Sequence, residues 1–286
     1  VSASPGSSRI WAAPATLSYA PLGKQQQEGH SIMRQLTAAV AIAAIGILVA
    51  SCGDNDEKKG SPSSSSSSTT SATPSKTPLA EVSLPNLLLS PAEIDTLLGV
   101  TGSKKDKSID ALKTDNPADV FPKSYKFPDE CLFITGAAES SIYAGSGNTA
   151  VKGEHDVAPL PPGSNDSDPE VTQALVLFGS ADQANTFFTT STQRWPACAN
   201  RQDTVPAEGD SPALTWKVGP VNNSNGVLSA TSDISATKNG QSFSQSCQRA
   251  LTVRNNVVID TEACKQNVGD IAVNVANQLA GKVDKQ

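Results

Sequence analysis

Apolar residues follow three rhythms along this chain. They run unbroken from 36 to 50 apart from Thr37, nearly vanish from 60 to 78, and beyond Leu79 recur with the periods of helices and strands. In that last region Ser90-Pro91-Ala92-Glu93 forms a capping box with proline at the first helical position, Leu89 and Ile94 supply a hydrophobic staple, and Gly99 stops a short helix after Leu98. Ser180-Ala181-Asp182-Gln183 repeats the capping logic before Ala184, Phe187, Phe188, Ser191 and Trp195, so a second helix ends near Pro196. Val268, Ile271, Ala272, Val275, Leu279 and Val283 make an amphipathic third helix. Strands are predicted at 132–134, 141–144, 174–178, 214–218, 227–234, 243–254 and 257–264, and residues 155–170, rich in proline, read as a long loop. Successive strands near the end favour antiparallel pairing. The fold class is therefore α+β, a single domain over 79–286 with helices covering an antiparallel sheet.

The unbroken run has another meaning. Arg34 precedes it, Val49-Ala50-Ser51-Cys52 closes it with small residues before a cysteine, and charged residues follow at once, which is the three-part layout of an export signal with a lipidation site. The run is too short to span a bilayer as a helix. Residues 33–51 are predicted to be a lipoprotein signal peptide, Cys52 the lipid-bearing residue, and residues 1–32 an upstream extension before Met33. Residues 52–78 then form a lipidated Ser/Thr linker whose composition cannot bury enough apolar surface to order itself. The expected location is the outer face of the plasma membrane, held by lipid at Cys52.

Lipidation at Cys52 also explains an odd count of five cysteines, leaving Cys131, Cys198, Cys247 and Cys264 as an even set in an oxidising compartment. Asn255-Asn256 separates two strands, and asparagine tolerates the positive φ of a two-residue type I′ turn. If Arg254 faces Val257, counting outward places Cys247 opposite Cys264 at a non-hydrogen-bonded position, where a disulfide can form. Cys131 pairs with Cys198 by elimination. The same register sets Arg249 opposite Glu262 as a cross-strand charge pair.

The formal charge is −6, and the portion after Cys52 is more acidic still, since Arg9, Lys24 and Arg34 precede it against Glu28 alone. Nucleic acid is excluded as a partner on this balance. Only His30 and His155 exist, so a serine-hydrolase triad would require His155, whose setting, Glu154-His155-Asp156, reads as a solvated histidine. Gly145-Ser146-Gly147 lacks the spacing of a nucleophile turn, and Asn165-Asp166-Ser167-Asp168 lacks a complete calcium-loop spacing. The aromatic residues Tyr143, Trp195 and Trp216 read as core. No catalytic residue, cofactor or metal site is assigned.

The lipobox, the Ser/Thr linker, Leu87-Leu88-Leu89 before the capping box, Tyr143-Ala144-Gly145-Ser146-Gly147, Val171-Thr172-Gln173-Ala174, Ser180-Ala181-Asp182 and Trp195-Pro196-Ala197-Cys198 occur in an order that resembles one family. It is the extracellular sensor-domain family of the mycobacterial receptor serine/threonine kinase H, which also occurs in stand-alone lipoproteins. In that family a tryptophan usually follows the glycine-serine-glycine stretch, where this chain has Asn148. The resemblance covers about 84 to the C-terminus and implies an α+β sensor domain, cysteines paired first with second and third with fourth, and a cleft for an unidentified ligand. The expected function is a cell-envelope lipoprotein that binds a small molecule or an envelope protein and meets the membrane through its lipid. The rivals are an envelope hydrolase with an unrecognised active site and a structural spacer or scaffold.

Overall fold

Ser90 closes the first turn of α1 (Pro91–Leu98) in both directions: its Oγ accepts from the Glu93 backbone N–H at 3.4 Å, and its own N–H donates to Glu93 Oε2 at 2.7 Å. Gly99 ends the helix at φ 67°, a left-handed conformation that favours glycine. A 3₁₀ turn, Glu81–Leu87, precedes it. In this computed structural model residues 77–286 are described, apart from 115–120, 162–163, 165, 210 and 239. The signal segment, Cys52 and nearly all of the Ser/Thr linker lie outside the described residues.

Among the described residues nine antiparallel strands form one sheet: β1 (Lys104–Ile109), β2 (Asn148–Val157), β3 (Glu170–Phe178), β4 (Gln202–Val205), β5 (Leu214–Val218), β6 (Asn222–Ser224), β7 (Val227–Lys238), β8 (Gln241–Arg254) and β9 (Val257–Lys265). Their order is β1-β2-β3-β9-β8-β7-β5-β4, with β6 beside β7. Helix α4 (Ile271–Val283) packs on β8 and β9 from one side. With α1 it covers an aliphatic core that includes Leu84, Ile94, Leu175, Ile259, Val275 and Leu279. The other side holds α2 (Ser140–Tyr143), α3 (Ala181–Arg194) and two 3₁₀ turns, Asp129–Ile134 and Trp195–Cys198, over a core containing Tyr143, Phe178, Phe187, Trp195 and Trp216.

The β8–β9 hairpin keeps the predicted register, Arg254 facing Val257 and Cys247 facing Cys264. Its turn is not type I′, because Asn255 takes a positive φ of 52° and Asn256 does not. Asn256 is buried for another purpose. Its amide donates to the carbonyls of Leu79 (3.1 Å) and Phe178 (2.8 Å) and accepts from the Leu79 N–H (2.7 Å), while Asn255 donates to the Thr77 carbonyl. The chain entering the domain is thus clasped by the hairpin tip.

Several predicted strands are corrected. Residues 132–134 belong to a 3₁₀ turn and 141–144 overlap α2, short apolar runs whose period does not distinguish strand from helix. Residues 155–157 belong to β2, so the connection to β3 spans only 158–169. Strands β1, β2, β4 and β6 had no prediction. β1 reads Lys-Lys-Asp-Lys-Ser-Ile and lies at the sheet edge, where exposed lysines replace alternation. β2 carries Gly153, at which a Cβ would collide with the Gln173 carbonyl on β3.

Candidate functional site

The two strands of the hairpin project Arg249, Asp260 and Glu262 onto the aromatic side of the sheet. Arg249 faces Glu262 in register, but its guanidinium turns diagonally to Asp260, Nε to Oδ1 at 2.9 Å and Nη2 to Oδ2 at 2.8 Å. Both side chains are buried, 2% and 0% exposed. Asp260 Oδ2 also accepts from the Tyr143 hydroxyl (2.8 Å) and the Ala138 N–H (2.9 Å). Arg249 Nη1 donates to the carbonyls of Phe133 and Thr135, and its guanidinium lies 5.2 Å over the Trp195 ring. A buried pair needs this many partners to offset its desolvation. Burial and the Asp260 charge hold the Tyr143 phenol well above its ordinary range.

Toward the β1 edge the same side of the sheet stays polar. His155 on β2 faces Lys107 on β1 and Thr172 on β3, and Thr172 faces Glu262 on β9. A bulge between Lys105 and Lys107 brings Asp106 within 3.3 Å of His155 Nδ1, while Glu170 lies 3.4 Å from Nε2. The Glu170 hydrogen bond and charge, opposed by burial and aided by Asp106, raise the imidazole above its ordinary value. Both ring nitrogens therefore face carboxylates rather than a hydroxyl nucleophile. Burial raises the Glu262 carboxyl, against the pull of Lys113 and Arg249. Lys113 pairs with buried Glu139 at 2.7 Å, joining the segment after β1 to the start of α2.

The four cysteines stand as two disulfides. Cys131 and Cys198, 0% and 1% exposed, join the two 3₁₀ turns with their Cα atoms 5.0 Å apart. Cys247 and Cys264 span the hairpin with Cα atoms 4.1 Å apart, the close spacing of a non-hydrogen-bonded pair. Tyr143, Trp195 and Trp216 are buried: Tyr143 stacks on Phe187 at 4.3 Å, and Trp216 packs against Phe127 at 5.1 Å. Ser146 Oγ interacts with Asn148 in a turn. Asn165 is outside the described residues, and Asp168 accepts from the Leu160 N–H.

On the opposite side of the sheet, next to the end of α1, lies a recess of ≈650 Å³ walled by Val100, Thr101, Ala158, Pro159, Leu160 and Pro161. Asp95 fixes one wall by accepting from the N–H groups of Gly102 and Ser103, both at 2.9 Å. Two residues before Ala158, and on the same side of β2, Asp156 is fully buried; its Oδ2 accepts from Gln173, and its Oδ1 has no hydrogen-bond partner among the described residues. Burial raises this carboxyl above its ordinary range. Sequence reasoning missed Asp260, Gln173 and Asp156. Their signal was a polar residue inside a central or second strand, legible only once strand order is known.

Residues 79–282 match the family model described as the PknH-like extracellular domain. Curated relatives include the serine/threonine-protein kinases PknH of Mycobacterium bovis and of Mycobacterium tuberculosis H37Rv, each 31% identical over 209 residues, or 73% of this chain. The chain spans only about a third of their length, 32% and 30%. A crystal structure of the extracellular domain of PknH from M. tuberculosis superposes with a TM-score of 0.59 at 27% identity, covering 73% of this chain and 99% of that one.

Proposed function

This chain belongs to the PknH-like extracellular domain family, and from that premise we propose that it is a non-catalytic extracytoplasmic sensor module that takes a small, largely apolar ligand into the recess beside α1. The observation that carries this reading is an open depression of ≈650 Å³ with an apolar floor at Val100, Ala158 and Leu160 and an exposed rim at Thr101, Pro159 and Pro161. The capped end of α1 fixes one wall, and the ring-locked φ of Pro159 and Pro161 narrows the freedom of the other, which lowers the order lost on binding. Lipid at Cys52 belongs to the same proposal, keeping the domain at the outer face of the plasma membrane where such ligands partition.

A thermal-shift screen of the full chain against apolar and amphipathic small molecules tests it. At about a hundredfold excess over Kd, a ligand of the folded state adds about 2.7 kcal/mol, a rise of roughly 5–10 °C in Tm. Leu160→Asp should abolish that rise while leaving the unliganded Tm nearly unchanged. A rise of equal size in the variant would overturn the recess as the site. A screen in which only charged, fully polar compounds shift Tm would overturn the ligand class.

A further inference from the structure

We propose that the Cys247–Cys264 disulfide is a thiol-exchange site for a small or protein-borne dithiol, with Glu262 delivering the proton to the departing Cys264 thiolate. The two disulfides of this domain are not equally reachable. Cys131 and Cys198 are sealed beneath the aromatic side of the sheet, whereas Cys247 is only half-buried while its partner Cys264 is 5% exposed. An incoming thiolate therefore meets Cys247 first. Glu262 sits two residues before Cys264 on the same side of β9, and its carboxylate oxygen and both sulfurs lie within 4.8 Å of one another. With the cysteines joined to each other, that cluster offers no thiolate to a metal ion, and it leaves the Glu262 carboxyl within one rotation or one bridging water of the sulfurs.

The exchange balances without any further reagent. A thiolate of the dithiol attacks Cys247 Sγ and forms a mixed disulfide as the Cys247–Cys264 bond breaks. The electron pair goes to Cys264 Sγ, which takes the Glu262 proton through a small rotation of the carboxyl or one water. The second thiol of the reagent then attacks the mixed disulfide and its proton passes to Cys247, leaving the reagent as an oxidised disulfide and the protein as two thiols. Water restores the proton on Glu262. The groups that set the state of Glu262 are Arg249 and Asp260 of the hairpin, Glu170 of β3 and Lys113 after β1, with His155 bound to Glu170 one strand further out. Burial raises its carboxyl, so the proton is available at higher pH than on an exposed glutamate.

The experiment uses the full chain, dithiothreitol as the dithiol, iodoacetamide quenching and peptide mapping by mass. Cys247 and Cys264 should be alkylated at rates at least about tenfold above those of Cys131 and Cys198. Simultaneous opening of both bridges, or earlier opening of Cys131–Cys198, overturns the exchange site. With glutathione in place of the dithiol, the trapped adduct should sit on Cys247, and an adduct chiefly on Cys264 overturns the order of attack. The reduction rate of the wild-type chain divided by that of Glu262→Gln cancels the ionisation of the attacking thiol. That ratio should fall from above one to below one as pH rises through the Glu262 pKa, because the neutral carboxyl donates and the ionised one repels the thiolate. A ratio that stays flat with pH removes Glu262 from the step.

Discussion

The two sides of the sheet are covered by different means. On the side of α1 and α4 the buried hydrophobic set is aliphatic, two capped or amphipathic helices do the covering, and apolar stripes meet strands in which buried polar residues such as Asp156 and Gln173 are few. Every buried aromatic ring among the described residues lies on the other side, together with the buried Arg249–Asp260 pair and the Cys131–Cys198 bridge. The cover there includes short turns that cannot satisfy their own backbone groups, so Arg249 takes two carbonyls and Asp260 takes an N–H from them. One side is assembled by burying area. The other is assembled by polar groups that must all be matched at once.

Removing a charge from the matched side should have the largest effect. Asp260→Ala leaves Arg249 buried without its counter-ion and should cost roughly 3–5 kcal/mol in urea unfolding, whereas Arg249→Met with Asp260→Leu should cost much less. A single variant no more damaging than the double would break the contrast between the sides. Next comes the bridge with a separation of 67 residues: Cys131→Ala with Cys198→Ala should cost about 4 kcal/mol in the chain-entropy model. Amide exchange should then quicken in the turn Asp129–Ile134 while α4 stays protected, and equal quickening in both would show that the sides do not open separately.

The smallest effect is a pH dependence at the polar margin. The folded-state pKa of His155 is raised, so its stabilising contribution is complete below the unfolded value of about 6.5 and is lost as pH rises through the folded value. The stability gap between the wild-type chain and His155→Gln should therefore be widest near pH ~6 and close above the folded-state pKa. A gap that does not change between pH ~6 and ~9 would detach His155 from Asp106 and Glu170.

The aliphatic side was largely legible in the sequence. A capping box and a 3.6-residue stripe state locally where α1 and α4 lie; across the sheet, the serine cap of α3 and the two-residue turn that brings Cys247 to Cys264 were as plain. The rest of the aromatic side was not. Leu132, Phe133 and Ile134 resemble a strand because the partners of their turn are distant in sequence: Arg249 binds the carbonyls of Phe133 and Thr135, and Cys198 holds Cys131. Strands β1 and β2 carry too many polar residues to alternate, being an edge and its neighbour. Arg249 opposite Glu262 was a correct register, yet the guanidinium chose Asp260 because that carboxylate lies deeper and shares its other lone pairs with Tyr143 and Ala138. Register names the facing residue, and depth decides the bond.

The asparagine clasp at the hairpin tip has a mechanical consequence. Tension on the chain ahead of Thr77 reaches the domain first at Asn255 and Asn256, which hold the carbonyls of Thr77 and Leu79 and the N–H of Leu79. These bonds are few and each is worth about 1 kcal/mol net, so a pull can peel them one after another while the long ladders of β8 and β9 stay closed. The clasp is the slack in the line. It gives way bond by bond while the ladders of the hairpin that carries it hold.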